Sequence, residues 1–355
     1  MSITNKMKGG VNMGYYDGTK LLSMLDINNE KPEIYICTTN RNAGKTTYYN
    51  RYCVNRFKKF GEKFCVIYRY DYEMGDVDKK FFDEIGRLFF PDDSMTFVRK
   101  AKGTYGELFL NGVSCGYAVA LNKADQIKKH SHLLSDTVRM IFDEFQSETN
   151  NYVPNEITKF ISVHTSIARG GGKQIKYLPV IMLSNAITIL NPYFTAMDIA
   201  NRLRSDTKYL KGDGYVLESG YYEEVANMQR NSAFNRAFKN DKYVAYASEN
   251  VYLNDNASFI EKLEGKNSYY CTFVIEGKNF AIREFPEIGY LYVNKNVDSS
   301  YPIRICASAD SHNVNYVMLK RNDAIINVLR QFFEHGSFRF KDMESKDALL
   351  KLLCY

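Results

Sequence analysis

The 355-residue chain has no tryptophan, five histidines, and no apolar run approaching the roughly 20 residues that a membrane-spanning helix needs. No membrane span is expected, and the polar stretch Met1–Asn12 predicts no signal peptide. Its seven cysteines include no Cys-x-x-Cys pair, and no histidines stand beside them at ligand spacing. That odd, scattered set argues against both a zinc site and a disulfide framework. Cys37, Cys65, Cys115, Cys271 and Cys306 sit in or beside apolar strand-like runs, where a buried thiol in a reducing compartment is the simplest account. A large excess of either charge is lacking too. The 47 Lys+Arg against 41 Asp+Glu leave +6, a mild bias toward polyanions that does not identify a nucleic-acid binder.

What is present is globular: 45% apolar and 25% charged residues without a low-complexity tract, in a length that favours two domains. The chain is organised around Ile34–Thr47. An apolar run, Ile34 to Cys37, enters a polar turn and leaves through Gly44-Lys45-Thr46, the strand–loop–helix layout of a phosphate-binding P-loop. Backbone N–H groups at a helix N-terminus wrap an anion, a lysine reaches the β- and γ-phosphates, and a hydroxyl holds Mg²⁺. Asn40, Asn42, Ala43, Gly44, Lys45, Thr46 and Thr47 are thus the expected ATP-binding residues. The usual pattern has glycine where this chain has Thr39, so the loop must be approached by a different backbone path.

About a hundred residues on, Val138-Arg-Met-Ile-Phe-Asp-Glu-Phe145 ends an apolar strand in two carboxylates, as a Walker B strand does. Asp143 is the expected Mg²⁺ ligand and Glu144 the base that activates water. Together the two motifs make an ATPase. Tyr177–Asn185 is a further buried strand whose end, Ser184-Asn185, has the residue types that sense a γ-phosphate. Arg169-Gly-Gly-Gly-Lys173 reads either as a surface turn or as a flexible loop carrying an arginine across a subunit interface.

Helices are expected at Lys45–Gly61, Val77–Phe90 and Asn155–Ala168, with a strand at Phe64–Tyr70 and an inserted meander at 95–121. From Arg202 the character changes, with Gly212-Asp-Gly214 reading as a linker and Tyr222–Lys239 as a helix. Short strands at Tyr269–Ile275, Lys278–Phe285 and Gly289–Asn294, then the helix Asn322–His335, make a smaller α+β unit. The expected division is an ATPase domain over 1–201, a linker with a helix over 202–250, and a second domain over 251–355. Basic clusters at Lys128 and Lys129, and at Arg99, Lys100 and Lys102, are either solvated faces or DNA contacts.

With Thr-Asn-Arg-Asn-Ala-Gly-Lys-Thr, Ile-Phe-Asp-Glu-Phe and Leu-Ser-Asn in this order, the chain resembles the genome-packaging ATPases of tailed phages. It is most similar to the phi-29-type ATPases of small podoviruses rather than to a long terminase large subunit. The resemblance implies an α/β, RecA-like ASCE fold with a mostly parallel sheet, plus an RNase H-like, vestigial nuclease domain. It also implies a homo-oligomeric ring, a pentamer, that drives double-stranded DNA through the portal of an empty capsid in the host cytoplasm, with a packaging RNA as a further partner. By position, Arg41 is the family's P-loop arginine, Arg169 falls in the region of its trans arginine finger, and Ser184 and Asn185 fall at its coupling motif. In the second domain Glu276, Glu284 and Asp310 are the acids near the nuclease strands, and a non-cutting, partner-docking domain is expected. The competing readings are another RecA-like motor such as a helicase, a P-loop small-molecule kinase, and a scaffold that only binds nucleotide. Adjacent Asp143 and Glu144 argue for water activation over phosphoryl transfer to a small molecule.

Overall fold

A computed structural model describes residues 16–149, 151–169, 175–200, 202–203, 207–238, 259–306, 311–318 and 323–354. They divide into two compact units, the first running to Met197 and resuming at Leu203, the second comprising Asp198–Arg202 and the chain from Asp255.

In the first unit a short helix α1 (Thr19–Ser23) precedes strand β1 (Ile34–Thr39), whose five buried positions form a continuous apolar-to-Thr run. Such strands pack helices on both faces. Helix α2 (Lys45–Phe60) follows and stops at Gly61, which has a left-handed φ of 68° that glycine adopts without a Cβ penalty. Then come β2 (Lys63–Tyr68), α3 (Val77–Phe89), β3 (Met95–Lys100), β4 (Tyr105–Leu110) and β5 (Val113–Ala120). Helix α4 (Ala124–His130), β6 (Thr137–Asp143), α5 (Glu156–Ala168), β7 (Val180–Asn185) and α6 (Pro192–Ala196) complete the expected ATPase stretch.

The sheet has nine strands in the order β3-β4-β5-β2-β6-β7-β1-β9-β8, where β8 is Tyr209–Lys211 and β9 is Tyr215–Gly220. All pairings from β5 through β9 are parallel, and antiparallel pairs flank them at both edges. Strand β7 lies between the P-loop strand β1 and the Walker B strand β6, which is the additional strand of the ASCE arrangement. Two expectations change. The meander is no insertion, because β5 pairs in parallel with β2 and extends the core sheet. The linker placed over 202–250 contributes β8 and β9, and β9 closes the far side of β1. Apolar Tyr215, Val216 and Leu217 are buried there, and Glu218 is buried with its carboxylate bonded to the hydroxyls of Tyr16 and Tyr209. The helix expected over 222–239 is two pieces, α7 (Glu223–Asn231) and α8 (Ala233–Ala237). Ser232 breaks it by turning extended, and its side chain caps α8 by accepting from the Asn235 N–H.

The second unit is a six-stranded sheet: β10 (Ser268–Ile275), β11 (Lys278–Phe285), β12 (Tyr290–Asn294), β13 (Arg304–Cys306), β14 (Val317–Met318) and β15 (Phe338–Phe340), ordered β14-β13-β10-β11-β12-β15. Strands β10 to β12 form an antiparallel meander, and β13 and β14 run parallel beside β10, a topology that fits the RNase H-like expectation. Helices Ala324–Glu334 and Met343–Cys354 cover one face through Ile326, Leu329, Leu349 and Leu352. Among the described residues no helix is long and apolar enough to cross a membrane, and Cys37, Cys53, Cys65, Cys115, Cys271 and Cys306 are buried free thiols.

Candidate nucleotide site

The missing glycine at position 39 is compensated by a neighbour. Thr39 is the last residue of β1, in register with Asn185 of β7 and Gly220 of β9. A Cβ at Gly220 would stand 3.2 Å from Thr39 Cγ2, so the absent side chain at 220 makes room for the threonine. The left-handed turn moves downstream to Asn42 (φ 61°) and Gly44 (φ 93°). Asparagine is one of the few residues that tolerate that region, and glycine enters it at no cost. Gly44 is the N-cap of α2 and offers no side chain to the first turn, leaving the helix N-terminus as an anion site.

Around that turn the expected groups converge. Lys45 Nζ donates to Asn185 Oδ1 at 2.6 Å, and Thr46 Oγ1 donates to Asp143 Oδ2 at 2.8 Å. The Glu144 backbone N–H closes on Asp143 Oδ1 at 2.9 Å. Arg41 Nη1 is 3.1 Å from Glu148 Oε1. Arg41, Lys45, Thr46, Asp143, Glu144 and Asn185 line a cavity of about 540 Å³ with Asn42, Gly44, Thr47, Glu84 and Ser184. Glu144 itself has a φ of 55°, a region where a non-glycine residue is strained and whose occupants cluster at functional sites.

The charges here are held against their preference. Burial lowers the Lys45 pKa, opposed by the carboxylates of Asp143 and Glu144. Burial raises that of Asp143, opposed by Lys45 and the Thr46 hydroxyl. Glu144 is raised by loss of water first, then by the charges of Asp143 and Glu148. Perturbed groups converging on one cavity at the carboxyl ends of parallel strands are what an active site requires. The oxygens of Thr46 and Asp143 meet at hydrogen-bond distance, the donor set a hard divalent cation such as Mg²⁺ uses, so the residues present fit that ion.

Sequence reading missed the groups that brace this centre. Arg69, just past β2, is buried and ion-paired with buried Glu156 at 2.9 Å. Its Nη2 donates to the Phe145 carbonyl at 2.7 Å and its Nη1 to that of Glu144 at 3.4 Å, holding the strained turn. Glu156 also accepts from the Tyr193 hydroxyl and the Val153 N–H. Gln146 Oε1 accepts from the N–H groups of Ile187 and Thr188, tying the Walker B turn to the loop after β7. The one sequence signal was an arginine and a glutamate at the ends of apolar elements; their pairing across 87 positions is not visible in a linear pattern.

Other expected residues lie elsewhere. The Asn40 side chain is buried and bonded to the backbone of Tyr222 rather than lining the cavity. Ser184 and Asn185 reach the cavity, and Asn185 holds Lys45. Arg169 is exposed at the far end of α5. Helix α5 starts beside the Walker B turn at Glu156 and, at ~1.5 Å per residue, carries Arg169 roughly 20 Å away. There Lys176 donates its N–H to the Ala168 carbonyl and its Nζ to Thr137 at the start of β6. Residues 170–173 of that loop, and Asp310, lie outside the described residues. Lys128 pairs with Asp125 and Lys100 with Glu107, Arg99 donates to the Asp71 carbonyl, and Lys129 and Lys102 are exposed. Glu276 sits at the β10–β11 turn, ion-paired with Lys351 at 3.0 Å, and Glu284 is exposed on β11.

The family model of the podovirus DNA encapsidation protein (Gp16) matches residues 12–353. The chain therefore belongs to the podovirus DNA encapsidation proteins, a family of phage genome-packaging ATPase motors. It is similar to the DNA packaging protein of Bacillus phage PZA, 24% identical over 316 residues that span 88% of this chain and 90% of that protein. The DNA packaging protein of Bacillus phage phi29 is 23% identical over the same shares. Among solved structures, the bacteriophage Phi-29 viral genome packaging motor assembly superimposes with a TM-score of 0.71 at 22% identity, over 96% of this chain and 98% of that one. The Phi-28 gp11 DNA packaging motor gives 0.59 at 17%, over 96% and 97%. Both share the fold.

Proposed function

We propose that this chain hydrolyses ATP in the cleft between α2 and the end of β6, and couples each turnover to the movement of double-stranded DNA into a preformed capsid through its portal. The observation that carries the reading is the Thr46–Asp143 contact at 2.8 Å, with Lys45 and Glu144 on either side of it. ATP is the substrate. Its phosphates fit the Asn42–Thr47 loop and Lys45. Thr46 and Asp143 would hold Mg²⁺, which neutralises phosphate charge when bound. Glu144 orients the attacking water and accepts its proton, which its raised pKa favours. Asn185, bonded to Lys45, is positioned to pass loss of the γ-phosphate to β7.

The working form is a homo-oligomeric ring, a pentamer by resemblance to its family, docked on the portal in the host cytoplasm with a packaging RNA as a further contact. Arg169 stands too far along α5 to serve its own cleft, which favours a role in a neighbouring one. DNA contacts go to phosphates, since packaging must accept any sequence. Arg99, Lys100, Lys102, Lys128 and Lys129 are the basic side chains proposed for them. The second unit acts as a non-cutting docking domain.

The test is ATP hydrolysis by wild type and Glu144→Gln with and without long double-stranded DNA, over a salt series. The expected result is DNA-stimulated turnover that weakens with salt and falls ~10²–10⁴-fold in the variant while ATP still binds. DNA-indifferent turnover that survives the substitution would overturn the assignment.

A further inference from the structure

The nucleotide loop is fastened on its outer side to α7. Asn40 uses both ends of its amide on one residue: Oδ1 accepts from the Tyr222 N–H at 3.0 Å, and Nδ2 donates to the Tyr222 carbonyl at 3.3 Å. Near the other end of α7, Gln229 Nε2 donates to the carbonyl of Arg41 at 3.2 Å. Consecutive loop residues therefore hold the start and the last turn of one helix. Ala226 is the buried residue of α7, so the helix lies mostly at the surface. The two attachments are not equivalent. Asn40 is buried and saturates Tyr222, whereas Gln229 leaves its Oε1 buried without a hydrogen-bond partner among the described residues. Turning that amide over would set oxygen against the Arg41 carbonyl, so the orphan is intrinsic to the arrangement. An unpaired buried acceptor favours any rearrangement that supplies a donor.

Arg41 joins the two sides. Its carbonyl takes Gln229, while its guanidinium lies in the cleft against Glu148. We propose that Asn40 and Gln229 form a clamp through which the nucleotide loop sets the position of α7, with Tyr222 as the fixed end and Gln229 as the end that moves. A bound nucleotide shifts such an equilibrium only by interacting differently with its two states, and Arg41 supplies the difference: its side chain exchanges Glu148 for phosphate, its carbonyl turns, and Gln229 follows. Both are positioning residues that do not touch the reacting atoms. The inference rests on reading residues 40–47 as the nucleotide loop.

Hydrogen exchange of the α7 amides, read by mass spectrometry on the full chain with and without a non-hydrolysable ATP analogue, tests it. Wild type is expected to change its α7 exchange by severalfold when the analogue binds. Gln229→Ala and the isosteric Gln229→Glu, which lacks the donor, should lose that response while binding the analogue within about twofold of wild type. DNA moved per ATP should fall in both. A nucleotide response that persists in both variants, an α7 indifferent to nucleotide in wild type, or a tenfold loss of affinity would each overturn the clamp. The exchange readout needs only nucleotide binding, so it fails independently of the DNA-stimulated hydrolysis that tests the function.

Discussion

The two ends of one sheet treat charge in opposite ways. At the carboxyl ends of β6 and β7, Asp143 and Glu144 are pushed above the usual carboxylate range and Lys45 below the usual range for lysine. At the amino ends of β2 and β6, Glu62 lies between Arg56 and Arg139, and its hydrogen bonds to them draw its pKa down from 4.5 to about 2. The same strands thus carry carboxylates raised by burial at one edge and a carboxylate lowered by two arginines at the other. Catalysis needs the first, because a group already content with its partners has nothing to offer a substrate. Stability is contributed by the second. In the smaller unit a third pattern holds: Glu276 leaves an antiparallel hairpin turn into solvent and pairs with Lys351. Parallel strands bring side chains together at one edge, whereas hairpin turns spread them outward.

Three measurements sharpen or break this contrast. Arg169→Ala should have the largest effect on the proposed reading, in which Arg169, at the far end of α5, serves a neighbour's cleft. Hydrolysis by the uniform variant should drop ~10³–10⁵-fold, and mixing it with Glu144→Gln should restore part of the rate at interfaces that hold one intact copy of each group. Full activity of the uniform variant would remove Arg169 from the mechanism. Next, Glu62→Gln should cost ~1–3 kcal/mol of stability at neutral pH and leave hydrolysis unchanged. Because the folded pKa of Glu62 is depressed, its contribution is fully present above about 4.5 and is lost as pH falls through about 2. Urea midpoints of the two proteins should therefore converge over that window, and a constant gap would break the comparison. Smallest is Glu276→Gln, whose half-exposed pair with Lys351 should be worth no more than ~0.5 kcal/mol in a thermal melt. A larger loss would give the hairpin acid a structural role.

What the sequence showed clearly was local. The P-loop and the Walker B strand are contiguous, so strand, turn and helix signals overlap within a dozen residues, and Lys45, Thr46, Asp143 and Glu144 are found together as expected. Strand β9 reads as linker in the sequence for a physical reason. Gly212 and Gly214 precede it, and Glu218 interrupts its apolar run, a charge tolerable only because hydroxyls from Tyr16 and Tyr209 reach it. Neither tyrosine is marked in the sequence as its partner. Arg69, Glu156 and Gln146 were missed likewise, since each acts through a residue from another element. Asn40 reads as an ATP-binding residue from its place in the loop, whereas its side chain turns to the Tyr222 backbone.

The pairing of β1 with β9 joins residues about 180 positions apart. During synthesis, both nucleotide motifs leave the ribosome well before β9 exists, so the strand that carries the P-loop spends that interval as an open edge. Bare edges recruit other strands, and long-range pairings form slowly. A fragment cut at residue 201 would hold every group proposed to bind ATP or Mg²⁺ and still leave that edge bare. A self-sufficient ATPase piece is therefore expected to extend past Gly220, the last residue of β9 that pairs with β1.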